Sequence, residues 1–412
     1  MKAISLTQRP QRRSDLLSED GLLPDETKRI RAIARQFADD VLRPVAHRLN
    51  TTAEARTAFP HAEMKAMAAA GLYRVPFGTN FGGMGLEFPT LATLTVLEEL
   101  GYYSPGLASA LFDGQAILVG KTLENAQPAL RDRYLPALVR GEWIGSFATS
   151  EPEASTDLSV GSMQTIAKKV EGGWRITGRK RWITNSSVAH HILVLCKTAD
   201  SLSMLFADLQ SPGVRVCEPD LKMGNHAQLT SDVIFEDVFV PDDHVVGNVG
   251  AGLRVALGAL ILGRMGIGAI GVGMAQAAFD HATGYMCQRE VFGKPLAAMQ
   301  HWQYVFADHA VGIEQARSLY QKAGWLKDTH GRSDVVAAMA KLSGSRLAVD
   351  VARDAIQVCG AYGFARHLIG ADALLPLESI YRDAKIGEIY EGANEIQKWV
   401  IARQIFGRVI TG

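Results

Sequence analysis

Hydrophobic positions along the chain change period twice. Residues 22 to about 145 read as helices, about 146 to 248 as short strands, and Gly252 onward as helices again. In the first stretch Pro24 and Asp25 open a helix whose apolar positions Ile30, Ile33, Phe37 and Val41 recur at helical spacing, with Pro44 kinking or ending it. A second helix spans 61–70 before Gly71, and a third spans 90–100 before Gly101. A glycine-rich loop, 76–85, lies between them. In the middle stretch Gly172-Gly173 turns into the alternating Trp174-Arg175-Ile176-Thr177. Ile192–Leu195, Met204–Phe206, Val214–Val216 and Val233–Phe235 continue the series, which predicts a small barrel or sandwich. The reading is an α+β chain in four parts. They are a solvated, flexible arm over 1–21, an N-terminal helical domain over 22–145, a β-barrel over 146–250 and a helical bundle over 251–412.

Composition narrows the function classes. The 412 residues carry 43 basic and 43 acidic side chains, so no overall field favours nucleic acid. Cys196, Cys217, Cys287 and Cys359 are far apart and form no CxxC, which argues against zinc ribbons and disulfide scaffolds. The longest apolar run, 255–262, falls well short of the roughly 18 residues a membrane span needs. The N-terminus has no apolar signal core, and a cytoplasmic protein is expected.

Three motifs invite other chemistry. Gly266-Ile267-Gly268-Ala269-Ile270-Gly271 matches GxGxxG but lacks the flanking strand and βαβ context of a dinucleotide site, so close helix packing is expected instead. His190-His191, His301 and His309 have no metal-ligand spacing, and no metal is expected. Ser109 and Ser186-Ser187 lack a nucleophile-elbow context.

Four motifs in order carry a resemblance. They are 81–85 (FGGMG), 147–157 (FATSEPEASTD) with 178–185 (GRKRWITN), 289–295 (REVFGKP) continuing to Gln300, and 382–386 (RDAKI) followed by 389–397 (IYEGANEIQ). Together they resemble the acyl-CoA dehydrogenase family of flavoproteins over nearly the whole chain, 22–407. The resemblance implies a helical domain, a β-barrel and a C-terminal four-helix bundle, with bound FAD and a homotetrameric or dimeric assembly. It implies oxidation of an acyl thioester to the trans-2-enoyl product, the α proton passing to Glu391 and the hydride to flavin N5. A flavin supplies the flat hydride acceptor such chemistry needs. Electron-transfer flavoprotein is the acceptor the family implies. Dioxygen is the acceptor in the alternative, an oxidase or monooxygenase of the same fold. A non-catalytic flavin-binding protein is a third reading, against which Glu391 argues.

By the same resemblance Thr149, Ser150, Trp182 and Thr184 line the flavin ring. Arg289 pairs with the cofactor diphosphate beside Phe292, where a guanidinium fork suits phosphate oxygens. Gln300, Gln357 and Gly360 complete the adenosine side from the adjacent subunit. Glu391 is the base, Arg264 orients it, and Thr156, Arg264 and Gly392 meet the substrate, with Arg403 a further candidate. Members that carry the base on the helix after the barrel place it at the position of Gly263 here, which offers no rival. The motif departs from the common pattern at Ser150 and at Ser155-Thr156, which keep hydroxyls. Ile261 stands where several members carry aspartate near the pantetheine arm, which leaves open an acyl group borne by a carrier protein rather than CoA. The acyl pocket is expected near residues 91–100 and the loop at Phe81.

Overall fold

In the computed structural model, which describes residues 11–17, 20–368 and 375–411, the first helical period becomes α1 (Asp25–Phe37). Asp25 and Glu26 in its first turn suit the positive end of the helix dipole. Ile30 and Phe37 face the core, but Ile33, expected beside them, is exposed. Pro44 does not stop the chain. The helix loosens into a π turn (Ala38–Leu42), tightens into a 3₁₀ turn (Arg43–Val45) and resumes as α2 (Ala46–Thr51). The proline cannot donate to the i−4 carbonyl, so the register is absorbed locally. Helix α3 (His61–Ala69) ends at left-handed Gly71 as expected. Helix α4 (Pro89–Gly101) also ends at its glycine as expected, with Tyr102 as the cap residue. Gly101 is also there for contact, because a Cβ on it would lie 3.0 Å from the carbonyl oxygen of Ile270. A short α5 (Pro105–Leu107) leads into a π-helical segment (Ala108–Lys121) and then α6 (Pro128–Val139).

The middle region is one curled eight-stranded sheet. Its strands are β1 (Gly145–Ala148), β2 (Ile166–Val170), β3 (Gly173–Thr184), β4 (His191–Thr198), β5 (Ser201–Asp208), β6 (Val214–Val216), β7 (Thr230–Pro241) and β8 (Val245–Val246). The order is β6-β7-β3-β2-β4-β5-β8, with β1 parallel to β4. Curling brings β1 against β3 and encloses Ile176, Leu193, Leu195, Phe206 and Phe235. Strands β3 and β7 run twelve residues each, well beyond the short segments the alternation marks.

Helix α7 (Gly252–Gln288) follows, then a small hairpin of β9 (Glu290–Val291) and β10 (Lys294–Pro295), α8 (Gln300–His330) and α9 (Asp334–Cys359). The fourth member of the bundle is broken. It comprises α10 (Ala361–Phe364), α11 (Leu377–Ala384), a 3₁₀ turn (Lys385–Glu388), α12 (Asn394–Phe406) and α13 (Arg408–Thr411). The glycines of α7 pack as expected of a close contact. A Cβ at Gly268 would stand 2.8 Å from the Ala340 oxygen, and one at Gly271 2.5 Å from the Gly344 oxygen. By length and composition α7 is apolar enough to cross a membrane, contrary to the count of unbroken apolar residues, but 61% of its most apolar stretch is buried against the rest of the protein. It is the central helix of the core.

Residues 1–10 of the arm lie outside the described residues. Arg12, expected to be solvated, is instead buried, with its guanidinium over the Tyr102 ring at 4.1 Å and bonded to Glu99. Glu99 also accepts from Arg31 Nε at 2.9 Å and Arg35 Nη2 at 3.1 Å. Its neighbour Glu98 accepts from Arg31 Nη2 at 3.2 Å and Arg317 Nε at 3.0 Å. These groups tie the arm, α1, α4 and α8 together.

Burial alone would raise the Glu99 carboxyl, but Arg12, Arg31 and Arg35 hold it down at about 2. A depressed carboxyl stabilises the fold above its unfolded value of about 4.3, and that contribution disappears as pH falls from there toward 2. Glu99→Gln leaves three guanidinium groups short of a counter-charge and costs about 3–5 kcal/mol. Denaturant unfolding at pH 7 measures the loss, and at pH 2 the variant and the parent protein converge.

Candidate active site

A cleft of about 1730 Å³ opens between the sheet, the π-helical segment, α7 and the turn before α12. Thr149, Ser150, Thr156, Trp182, Thr184, Arg264, Glu391 and Gly392 all line it. Residues more than 240 positions apart in sequence are thus one constellation.

The sheet side is shaped by a bulge. Lys180 pairs with Val233 and Ile183 with Ser231, so β3 carries one extra residue there. Trp182 absorbs the bulge with a left-handed φ of 62° and stands out of the sheet, 53% exposed. A barrel-core tryptophan is thereby ruled out. The Arg181 guanidinium covers one face of the indole at 4.0 Å and donates to Asp232 Oδ1 at 2.8 Å. Thr184 Oγ1 accepts from Gln228 Nε2 at 3.0 Å. The loop from Thr149 is braced from below. Lys180 Nζ donates to the Thr149 carbonyl at 3.1 Å and to Glu151 at 2.9 Å, and Glu151 accepts the backbone N–H of Gln164 and Thr165. The glutamate of the Ser150-Glu151-Pro152 motif is therefore scaffolding, buried with its lysine. The Ser150 carbonyl accepts from the Arg181 N–H at 3.0 Å. Thr156 is exposed at the rim.

Opposite stands Glu391. Its backbone is left-handed, φ 54°, and Gly392 follows at φ 85°. A non-glycine residue held there stores strain of order 1–3 kcal/mol and needs its surroundings to hold it. Gln397 Nε2 donates to the Gly392 carbonyl at 2.7 Å, and Arg264 Nε points at the Glu391 carbonyl at 3.4 Å. The turn thus aims the side chain inward, unlike a surface glutamate capped by glycine. Oε2 of Glu391 is buried without a hydrogen-bond partner among the described residues. Burial pushes the carboxyl up to about 7, against the opposing pull of Arg264 and Lys341. Gly263 makes this position possible: a Cβ there would sit 2.5 Å from Glu391 Oε2.

The remaining predicted residues lie elsewhere. Arg289 follows α7, and Phe292 is 96% exposed in the hairpin turn. Gln300 Nε2 donates to Tyr304 Oη at 2.6 Å on the surface. Gln357 and Gly360 are exposed at the C-terminal end of α9. The α7 and α9 ends meet where the Tyr285 and Tyr362 rings lie 6.1 Å apart. These five residues do not join the cleft within one chain.

The expected acyl wall is wrong. Helix α4 is buried in the core, and neither it nor Phe81 reaches the cleft. The wall comes instead from Ser109, Gly114 and Leu118 of the π-helical segment. Ser109 Oγ hydrogen-bonds Tyr390 Oη at 3.0 Å, next to Glu391. Ser109, Asp113 and Gln115 interrupt its apolar positions, so no single periodicity in the sequence marked this segment. Ile261 lines the cleft as expected. Arg403 lines it too, lying over Trp399 at 4.7 Å with its Nε buried and unpartnered among the described residues.

The residues fit a flat, partly polar cofactor. An exposed indole, a cluster of threonine hydroxyls and the buried Thr230 Oγ1, unpartnered among the described residues, face one apolar cleft. Comparison with known proteins agrees. The families described as acyl-CoA dehydrogenase N-terminal, middle and C-terminal domain match residues 24–142, 146–238 and 250–406. A short-chain specific acyl-CoA dehydrogenase of Clostridium acetobutylicum is 33% identical over 93% of this chain and 99% of its own. A chain of the structure described as electron transferring flavoprotein of Acidaminococcus fermentans is 31% identical, with a TM-score of 0.87 over 94% of this chain and 100% of that one. The FAD complex of PigA is 28% identical, with a TM-score of 0.85 over 95% of this chain and 100% of that one.

The geometry predicts a carboxyl that titrates near pH 7. The infrared difference between the protein and Glu391→Gln should show one carboxyl band converting to carboxylate there. Conversion near pH 4 would contradict the buried placement.

Proposed function

Because this chain belongs to the acyl-CoA dehydrogenase family, we propose that the cleft catalyses FAD-dependent oxidation of an acyl-CoA thioester to its α,β-enoyl product. The observation that carries the reading is Glu391, a buried carboxyl of raised pKa facing the threonine-lined and indole-lined wall across one cleft. FAD, when bound, supplies the hydride acceptor. The chain supplies the rest. Trp182, Thr184 and Thr149 form the wall against which a flat ring is held. Glu391 accepts the α proton, and its raised pKa makes the carboxylate a stronger base than a solvated one. The left-handed turn and Gln397 fix the direction in which it acts. Leu118, Leu257 and Ile261 give the cleft an apolar wall for the acyl chain.

Arg289, Phe292, Gln300, Gln357 and Gly360 are best explained by assembly. In a homotetramer they meet the diphosphate and adenosine of the FAD held by a neighbouring subunit, which accounts for their distance from this chain's own cleft. Electron-transfer flavoprotein is the proposed acceptor, supported by the likeness to the Acidaminococcus fermentans structure. Ile261 places no charge beside the pantetheine path, so a carrier-bound acyl group is tested against its CoA ester by comparing their rates.

Anaerobic titration with a panel of acyl-CoA esters should bleach the flavin. A protein that neither binds FAD nor bleaches with any ester overturns the reading. Glu391→Gln keeps the shape of the side chain but cannot accept the proton. It should slow flavin reduction about 10²–10⁴-fold in anaerobic stopped flow at saturating substrate. In the parent protein the same rate should be low in acid and rise with pH through about 7, because the base acts only once it has lost its own proton.

Arg289→Ala removes a charge-assisted bond worth about 1.5–3 kcal/mol. FAD affinity should fall about tenfold to a hundredfold. A monomeric variant that retains FAD tightly would exclude the inter-subunit role.

A further inference from the structure

We propose that Lys341, on α9, is a positioning residue for the reaction: its ammonium charge sets the proton affinity of Glu391 while its hydrogen bond to Asn394 holds the strained turn that carries the base. The inference rests on Glu391 being the base. None of the four sequence motifs contains Lys341.

The lysine side chain is buried, which is rare without a partner. Its Nζ donates to Asn394 Oδ1 at 2.9 Å. Asn394 Nδ2 in turn donates to Ser345 Oγ at 3.1 Å, one helical turn along α9. Asn394 is the first residue of α12, three positions after Glu391. Lys341 and Ser345 therefore clamp one end of the 391–394 turn, while Gln397 clamps its middle through the Gly392 carbonyl. A left-handed glutamate persists only where such contacts over-determine it.

The charge acts separately from the bond. Two cations pull on the Glu391 carboxyl electrostatically: Arg264 from α7 and Lys341, whose Nζ is anchored three residues beyond it on Asn394. Asp334 acts on Arg264, and Glu388 and Glu395 act on Lys341. The adjacent Tyr390 hydroxyl is engaged by Ser109. Burial favours the protonated carboxyl and the two cations oppose it. Arg264 also reaches the Glu391 backbone carbonyl. Lys341 is the cation that can be neutralised without removing the contact to the Glu391 carbonyl. Burial holds the Lys341 ammonium itself down at about 8, so it remains mostly charged at neutral pH.

The sign follows. Without the ammonium, burial is opposed by Arg264 alone. The carboxyl then binds its proton more tightly, and the pH of half-maximal flavin reduction moves upward. An opposite charge within a few ångströms shifts a carboxyl by about one unit or more.

The test compares four holoenzyme variants for FAD content, infrared titration of the carboxyl, and the pH profile of anaerobic flavin reduction. Lys341→Gln removes the charge and keeps a donor for Asn394. Lys341→Met removes both. Lys341→Arg keeps the charge. Asn394→Ala removes the acceptor and leaves the charge in place. The expected result is an upward move of about one pH unit in both neutral variants, in the infrared titration and in the rate profile alike. Lys341→Arg should titrate as the parent does. Asn394→Ala should lower the plateau rate without moving the midpoint. Unshifted midpoints in folded Lys341→Gln and Lys341→Met would overturn the proposal. So would failure of both neutral variants to fold while Lys341→Arg folds, since that outcome assigns the lysine to stability alone. The infrared titration reads the carboxyl directly. A base located elsewhere would appear as an unaffected Glu391→Gln reduction rate, independently of what Lys341 does to the Glu391 titration.

Discussion

The structure depends on how closely α7 and α9 approach. Two helices packed through ordinary side chains lie 8–10 Å apart, and glycines at the contact bring the backbones nearer. At Gly268 and Gly271 a Cβ would run into the Ala340 and Gly344 carbonyls. That contact sets Arg264, one turn before Gly268, and Lys341, directly against it, around the same point. A larger residue at either glycine would push apart the helices that carry the two cations acting on the base. The glycine pattern is therefore part of the site, although no glycine of this contact lines the cleft.

Opposing demands meet at Glu391. Burial raises its affinity for a proton, which strengthens it as a base but keeps it protonated at low pH. The neighbouring cations pull the other way, and the balance lies near neutrality. The same side chain needs room, which Gly263 provides, and direction, which the left-handed turn provides. Gly263 and Glu391 are consequently a pair. The cleft has space for one carboxylate at this point, and the backbone decides from which side it comes.

Much of this was legible in the chain. The helix, strand, helix division follows from the hydrophobic period, and the glycine run of α7 reads correctly as packing once a βαβ context is missing. Glu391, Trp182 and Thr184 are carried by motifs whose residues are close in sequence. What was not legible depends on partners far away. The exposure of Trp182 comes from a bulge, a property of how β3 registers on β7 and not of β3 alone. Gly101 reads as a helix stop from one strand of sequence and as a contact only when Ile270 is beside it. Ile33 fits the apolar stripe of α1 yet is exposed, because period marks a face without saying how wide its cover is. The burial of Arg12 depends on Glu99 and Tyr102, about ninety residues on.

The acyl wall shows the same limit from another direction. An apolar helix such as α4 satisfies every sequence criterion for a pocket wall, yet it is consumed by the core between α1, α7 and α8. The segment that does reach the cleft is π-helical over Ala108–Lys121, a geometry whose hydrogen bonds are less favourable and which recurs at functional sites. Its wider turn changes which side chains share a face, so Ser109 and Leu118 both reach the cleft, while Gly114 leaves space beside Thr184. Ser109 then hydrogen-bonds Tyr390, which links the acyl wall directly to the residue preceding the base. A change in this wall would therefore be felt at Glu391 through its own backbone, coupling the shape of the pocket to the orientation of the carboxyl.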